Sequence, residues 1–258
     1  MSGDTTPFVP SAIEGGVTGS RQCVSTSLDT NGAGSIDVVR HPTARRVKLA
    51  FDPSSGRVRL TIPRRASAKA ALAWAGQYSD WIAAQRAKLP QARPFAEGAT
   101  VPLGDETLTI VWREGASRIV RREGELLLLS GPRETIGRRV EAWLRREALR
   151  LLAEDTAQYA ARAGVAVDKV AIGDPRGRWG SCSSTGAIRY SWRLVLAPEA
   201  VRRATAAHEV AHRVHMDHSP AFHALVAQLY GSDPTPHRRW LRANGASLHW
   251  YGRSSSGG

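Results

Sequence analysis

A chain of 258 residues with 42% hydrophobic and 23% charged side chains has the length and make-up of a globular protein of one large or two small domains. It has no run of about 18 apolar residues, which speaks against a membrane-spanning helix, and no basic segment leading into an apolar core, so no secretory signal is read. The net charge of +13 makes nucleic acid a candidate partner, although along the sequence the excess is spread rather than concentrated, at +6 in residues 1–98 and +7 in 99–258.

Taken in order, residues 1–35 are rich in Gly, Ser and Thr and read as a disordered N-terminal tail. Ile36 to Arg40, Arg46 to Phe51 and Arg57 to Ile62 read as strands. The last two alternate polar and apolar residues around the turn Asp52-Pro53-Ser54-Ser55-Gly56, which predicts a hairpin with one buried face. Ser67 caps a predicted helix running to about Leu89, with Ala71, Trp74, Tyr78, Trp81 and Ile82 as its core stripe. Strands are expected near 107–112, 118–122 and 125–129, and a long helix from about Glu134 to Ala163, ended by Gly164. The arginines on that helix read as a solvated face partnered by Glu141 and Glu147. Val170-Ala171-Ile172 and the stretch from Ala187 to Leu196 read as further strands. The second of these could pair with an extended peptide at a sheet edge. The expected architecture is α+β: a β-rich N-terminal region with one helix over 36–133, then a helical zincin-like catalytic domain with a small sheet over 134–251, and a flexible tail at 252–258.

Pro198 opens the helix that carries His208-Glu209-Val210-Ala211-His212. Two histidines four apart on a helix project from one face, as two ligands of one metal ion must. The intervening glutamate stands where a general base would activate a water. Ala206, Val210 and Val214 are expected on the opposite, packed face. A catalytic zinc takes three protein ligands as a rule, and His215, Asp217, His218 and His223 all lie downstream. Of these His218 is preferred, six residues after His212, with His215 as runner-up. The only methionines, Met1 and Met216, leave no methionine turn after His218, which disfavours a metzincin. Tyr190, Arg189, His223 and Tyr230 are candidate oxyanion stabilisers. The two cysteines, Cys23 and Cys182, cannot build a disulfide framework, so a reducing, cytoplasmic setting is expected.

Several separated segments then converge. Arg178-Trp179-Gly180-Ser181-Cys182-Ser183, Trp192-Arg193-Leu194 with Pro198, the His208–His212 helix, His215-Met216-Asp217-His218-Ser219 with Phe222, and Trp240-Leu241 together resemble the YgjP-like metal-dependent hydrolases, a group related to SprT-like zinc metallopeptidases. The resemblance covers about residues 40–245. It implies a zinc-dependent hydrolase of protein or peptide substrates, with His208, His212 and His218 as ligands, Glu209 as catalytic base and Zn2+ as the cofactor. This chain departs from the family pattern at Ser191, Asp217 and His223, all near the expected cleft. A DNA-associated protease or DNA-binding module, and a hydrolase of a non-peptide amide, are the alternative readings.

Overall fold

Val58, Leu60 and Ile62 are buried while Arg57 and Arg59, which alternate with them, are exposed, so one face of their strand must be covered. The computed structural model describes residues 26–30 and 34–254. The chain divides into two units, Met1–Asp52 with Arg57–Gln85 and Pro53–Gly56 with Arg86–Gly258.

The first unit holds β1 (Thr26–Thr30), β2 (Gly34–His41), β3 (Lys48–Asp52) and β4 (Arg57–Pro63). Their sheet order is β1-β2-β4-β3. β3 and β4 are the expected antiparallel hairpin, and β2 lies parallel to β4. The helices α1 (Ala68–Gly76) and α2 (Ser79–Ala87) contribute Ala71, Ala75 and Ile82 to the core under the sheet. Two expectations change here. Part of the stretch read as a disordered tail is strand: β1 pairs antiparallel with β2. An edge strand is held by ladder hydrogen bonds and needs no apolar alternation to announce it. Residues 1–25 and 31–33, and residues 255–258 of the expected C-terminal tail, lie outside the described residues. The single helix expected over 67–89 is two, because the poor helix former Gly76 closes α1, and Ser79-Asp80 open a new first turn. The break turns Tyr78 and Trp81 outward, at 37% and 38% exposed, instead of into the core.

In the second unit β5 (Thr100–Leu103), β6 (Glu106–Trp112), β7 (Arg121–Glu123) and β8 (Leu126–Leu129) form a sheet of order β5-β6-β8-β7. Residues 86–133, grouped by sequence with the N-terminal region, belong to this unit. Phe95, Val101, Leu108, Ile110, Leu127 and Leu129 share one core with Val140 and Trp143 of α3 (Ile136–Ala163), and the boundary falls at 85/86 rather than 133/134. Gly164 ends α3 in the left-handed conformation, φ 64°. The helix face is laced as expected, Arg145 to Glu141 and Arg150 to Glu147 and Glu154. A second sheet, order β10-β11-β9, combines β9 (Lys169–Gly173), β10 (Gly180–Cys182) and β11 (Ala187–Ser191). It is followed by α4 (Glu199–Ala211), α5 (Pro220–Tyr230) and α6 (Thr235–Leu248). Sheets and helices segregate along the chain, which makes the fold α+β. No described helix is long and apolar enough to cross a membrane.

Buried polar pairs fix the helices that matter. Arg202 of α4 donates to Asp155 of α3 at 2.7 Å, both side chains under 10% exposed. Removing one partner of such a pair costs about 3–5 kcal/mol, so α4 is tied in place along α3. Thr156 of α3 meets the Tyr190 hydroxyl of β11 at 2.9 Å. Buried Arg193 donates to both Asp174 oxygens, at 2.7 and 3.1 Å, and to the carbonyls of Leu248 and Tyr251, at 2.8 and 3.0 Å. Burial pushes the Asp174 carboxyl up, but the hydrogen bonds and charge of Arg193, with smaller contributions from His249 and Arg145, hold it below its usual range.

Candidate metal centre

α4 is amphipathic in the way its sequence demands. Ala206, Ala207, Val210 and Ala211 are buried in the core, which leaves His208 half-buried on the other face. The helix ends at Ala211, with His212 as its C-cap at φ −64°, ψ −13°. His212 therefore keeps its helical position one turn beyond His208. Val214, expected on the packed face, lies past the helix end and is 47% exposed. The chain then doubles back and enters α5, where the Ser219 side chain accepts from Phe222 N and Pro220 occupies the first turn. That return brings His218 to the other two histidines.

One ligand nitrogen from each of His208, His212 and His218 lies within 4.8 Å of the others. Two nitrogens bound at about 2.0–2.1 Å to one tetrahedral zinc stand about 3.3 Å apart. His208 Nε2 and His218 Nε2 are separated by 3.3 Å. His212 Nδ1 is 3.0 Å from the His215 carbonyl; donating there keeps its proton on Nδ1 and leaves Nε2 bare. Fully buried Phe222 lies against all three rings, with centroids 4.4–4.9 Å away. Burial, with the neighbouring His212, His218 and Arg238 adding to it, depresses His208 to about 3. Burial lowers His212 as well, against the hydrogen bond to His215. Neutral imidazoles are the form a metal needs, so this donor set fits zinc.

Glu209 is 5% exposed, and its burial raises the carboxyl to about 8, with the Arg178 charge opposing. Space for it comes from β10. A Cβ on Gly180 would fall within 2.6 Å of Glu209 Cγ and Cδ, so only glycine lets the strand pass this close. Cys182, two residues along the same strand, is half-buried. Its thiol is pushed up by burial and by the Glu209 charge, while Arg213 pulls it down.

The other candidates are placed elsewhere. The His215 ring is not in the three-histidine group; its contribution is the carbonyl under His212. Exposed Asp217 accepts from Ser219 N at 3.4 Å, and His223 is exposed with its ring 6.2 Å from that of His218. Among the oxyanion candidates, Tyr190 is buried and bonded to Thr156, and Tyr230 meets His237 Nε2 at 2.8 Å. Arg189 pairs in register between Ser181 and Ala171, on the sheet face opposite Gly180 and Glu209. Sequence reasoning gave Gly180 and Arg178 no role beyond carrying the resemblance, and it missed Arg238. A lone glycine inside a strand is the one signal that could have singled out the first.

The strand expected over 187–196 also changes. β11 is central, paired on both sides, and Trp192–Leu196 is a 3-10 turn capped by Ser191 Oγ. Among the described residues, the sheet edge beside α4 is β10. Trp192 is fully buried, and Trp179 packs against Gly245 and His249.

A family profile described as YgjP-like, metallopeptidase domain, matches residues 45–244. No curated protein and no solved structure matches the chain.

Proposed function

The chain belongs to the YgjP-like metallopeptidase family, and from that premise we propose that it is a zinc peptidase whose ion is held by His208, His212 and His218 and whose general base is Glu209. The observation that carries this reading is the gathering of three imidazoles beside a buried carboxyl on one helix. Zinc, when bound, supplies the positive charge that polarises a substrate carbonyl and acidifies a water. Glu209 takes the proton of that water and returns it to the leaving amine. His215 holds the His212 ring through its carbonyl, and Phe222 fixes the mutual angles of the three rings. An extended peptide lies along the free edge of β10 and presents its scissile carbonyl to the histidines.

Metal removal tests the reading. The purified chain is expected to carry about one zinc per molecule, to lose peptide hydrolysis on dialysis against a chelator, and to regain it with stoichiometric zinc. Hydrolysis that persists in metal-free protein would end the proposal.

Gly180→Ala gives a second test. Overpacking of this kind costs about 1–3 kcal/mol, and a displaced base loses up to about a hundredfold in rate. The variant should retain zinc and fold while hydrolysis falls between about tenfold and a hundredfold. Unchanged turnover would remove Gly180 from the site.

A further inference from the structure

The arginines that look scattered in sequence are not scattered in the first unit. β2 and β4 run parallel, with His41 opposite Pro63, so the loops that follow them leave the same end of the sheet. Arg40 holds the two together by donating to the carbonyls of Arg64 and Ala66, at 2.8 and 2.9 Å. β3 is antiparallel to β4, with Lys48 opposite Thr61, so it starts at that end as well. Neighbouring strands lie about 4.8 Å apart, which sets the two loops side by side.

The segments gathered there are 40–48 and 63–69. They contain Arg45, Arg46, Lys48, Arg64, Arg65 and Lys69, all exposed, and no aspartate or glutamate. None of the six makes an ion pair among the described residues, whereas Asp37, further back along β2 from that end, lies 3.6 Å from Arg57. The N-terminus of α1 opens between Arg65 and Lys69, capped by Ser67, and adds its partial positive charge to the same end.

We propose that this end of the first unit binds the phosphodiester backbone of a nucleic acid. Six cations with no ion pair among the described residues, gathered at one end of a sheet, suit a string of phosphates rather than a single one. Four of the six are arginines, whose planar fork matches phosphate oxygens two at a time. Neither segment holds a phenylalanine, tyrosine or tryptophan, or an exposed large apolar side chain, so nothing there would insert into a lipid surface. Binding follows charge and is largely independent of sequence.

The experiment measures binding of the full chain to labelled 20-nucleotide single-stranded DNA, duplex DNA and RNA across a salt series. Binding at about 50 mM KCl is expected, weakening with salt at a log–log slope of about −3 to −5. The variant carrying Arg45→Gln, Arg46→Gln, Arg64→Gln and Arg65→Gln should melt like the wild type, bind at least about tenfold more weakly and show a shallower slope. Arg138→Gln with Arg146→Gln, on α3, serves as the charge control and should bind as the wild type does. Should the four-fold variant unfold, the pairs at 45–46 and at 64–65 are tested separately and each should weaken binding. The proposal is overturned by absence of binding at low salt, by undiminished binding in the loop variants, by an equal loss in the α3 control, or by binding to phosphatidylserine vesicles in place of polynucleotide.

Discussion

Glu209→Gln is expected to keep zinc and the fold and to lose peptide hydrolysis by about two to four orders of magnitude, the usual worth of a positioned general base. Glutamine has the size and shape of the side chain it replaces, so the gap that Gly180 leaves in β10 stays filled and α4 keeps its packing. What disappears is the group that exchanges a proton. Metal content, melting temperature and kcat on a peptide substrate, measured together, separate this outcome from simple misfolding. Turnover within tenfold of wild type would assign the base elsewhere, and loss of zinc would make Glu209 a support of the metal rather than a base.

The second large effect is on the metal itself. The binding free energy of a zinc centre, about 10–16 kcal/mol shared among four ligands, gives about 3 kcal/mol for each. His218→Ala should therefore weaken zinc affinity by about a hundredfold or more, measured by competition with a chromogenic chelator. His215→Ala and His223→Ala discriminate. The first keeps the carbonyl that meets His212, and the second removes a ring that stands apart from the three-histidine group. Both should hold zinc as the wild type does. Full affinity in His218→Ala, with a loss in either of the other two, would move the third ligand.

The three-histidine cluster was legible because its spacing is a property of the helix and of a six-residue return. So were the β3–β4 hairpin and the Gly164 stop, each written in local residues. What stayed hidden depends on partners distant in sequence. Trp192-Arg193-Leu194-Val195-Leu196 are all buried, and a run buried on every side has no period to separate strand from 3-10 turn. Tyr78 and Trp81 sit at core spacing for an unbroken helix, and the break after α1 redirects them. Gly180 has no side chain to advertise what its strand approaches. The basic end of the first unit needed the parallel pairing of β2 with β4 before the segments carrying Arg45 and Arg65 came to the same end of the sheet.

Arg193 also decides where the second unit can be cut. The family match stops at residue 244, which suggests a convenient place to end a shortened chain. Two of the four acceptors around that buried guanidinium, the carbonyls of Leu248 and Tyr251, lie beyond that point. So does the Tyr251 side chain, part of the core, and the Trp250 carbonyl that takes the Arg93 N–H at 2.9 Å. A chain stopped at 244 would strand a buried cation and open a hole beside Phe95. The smallest independent form of the catalytic unit therefore runs through Tyr251, and the last turn of α6 is a closing piece of the domain rather than its trailing end.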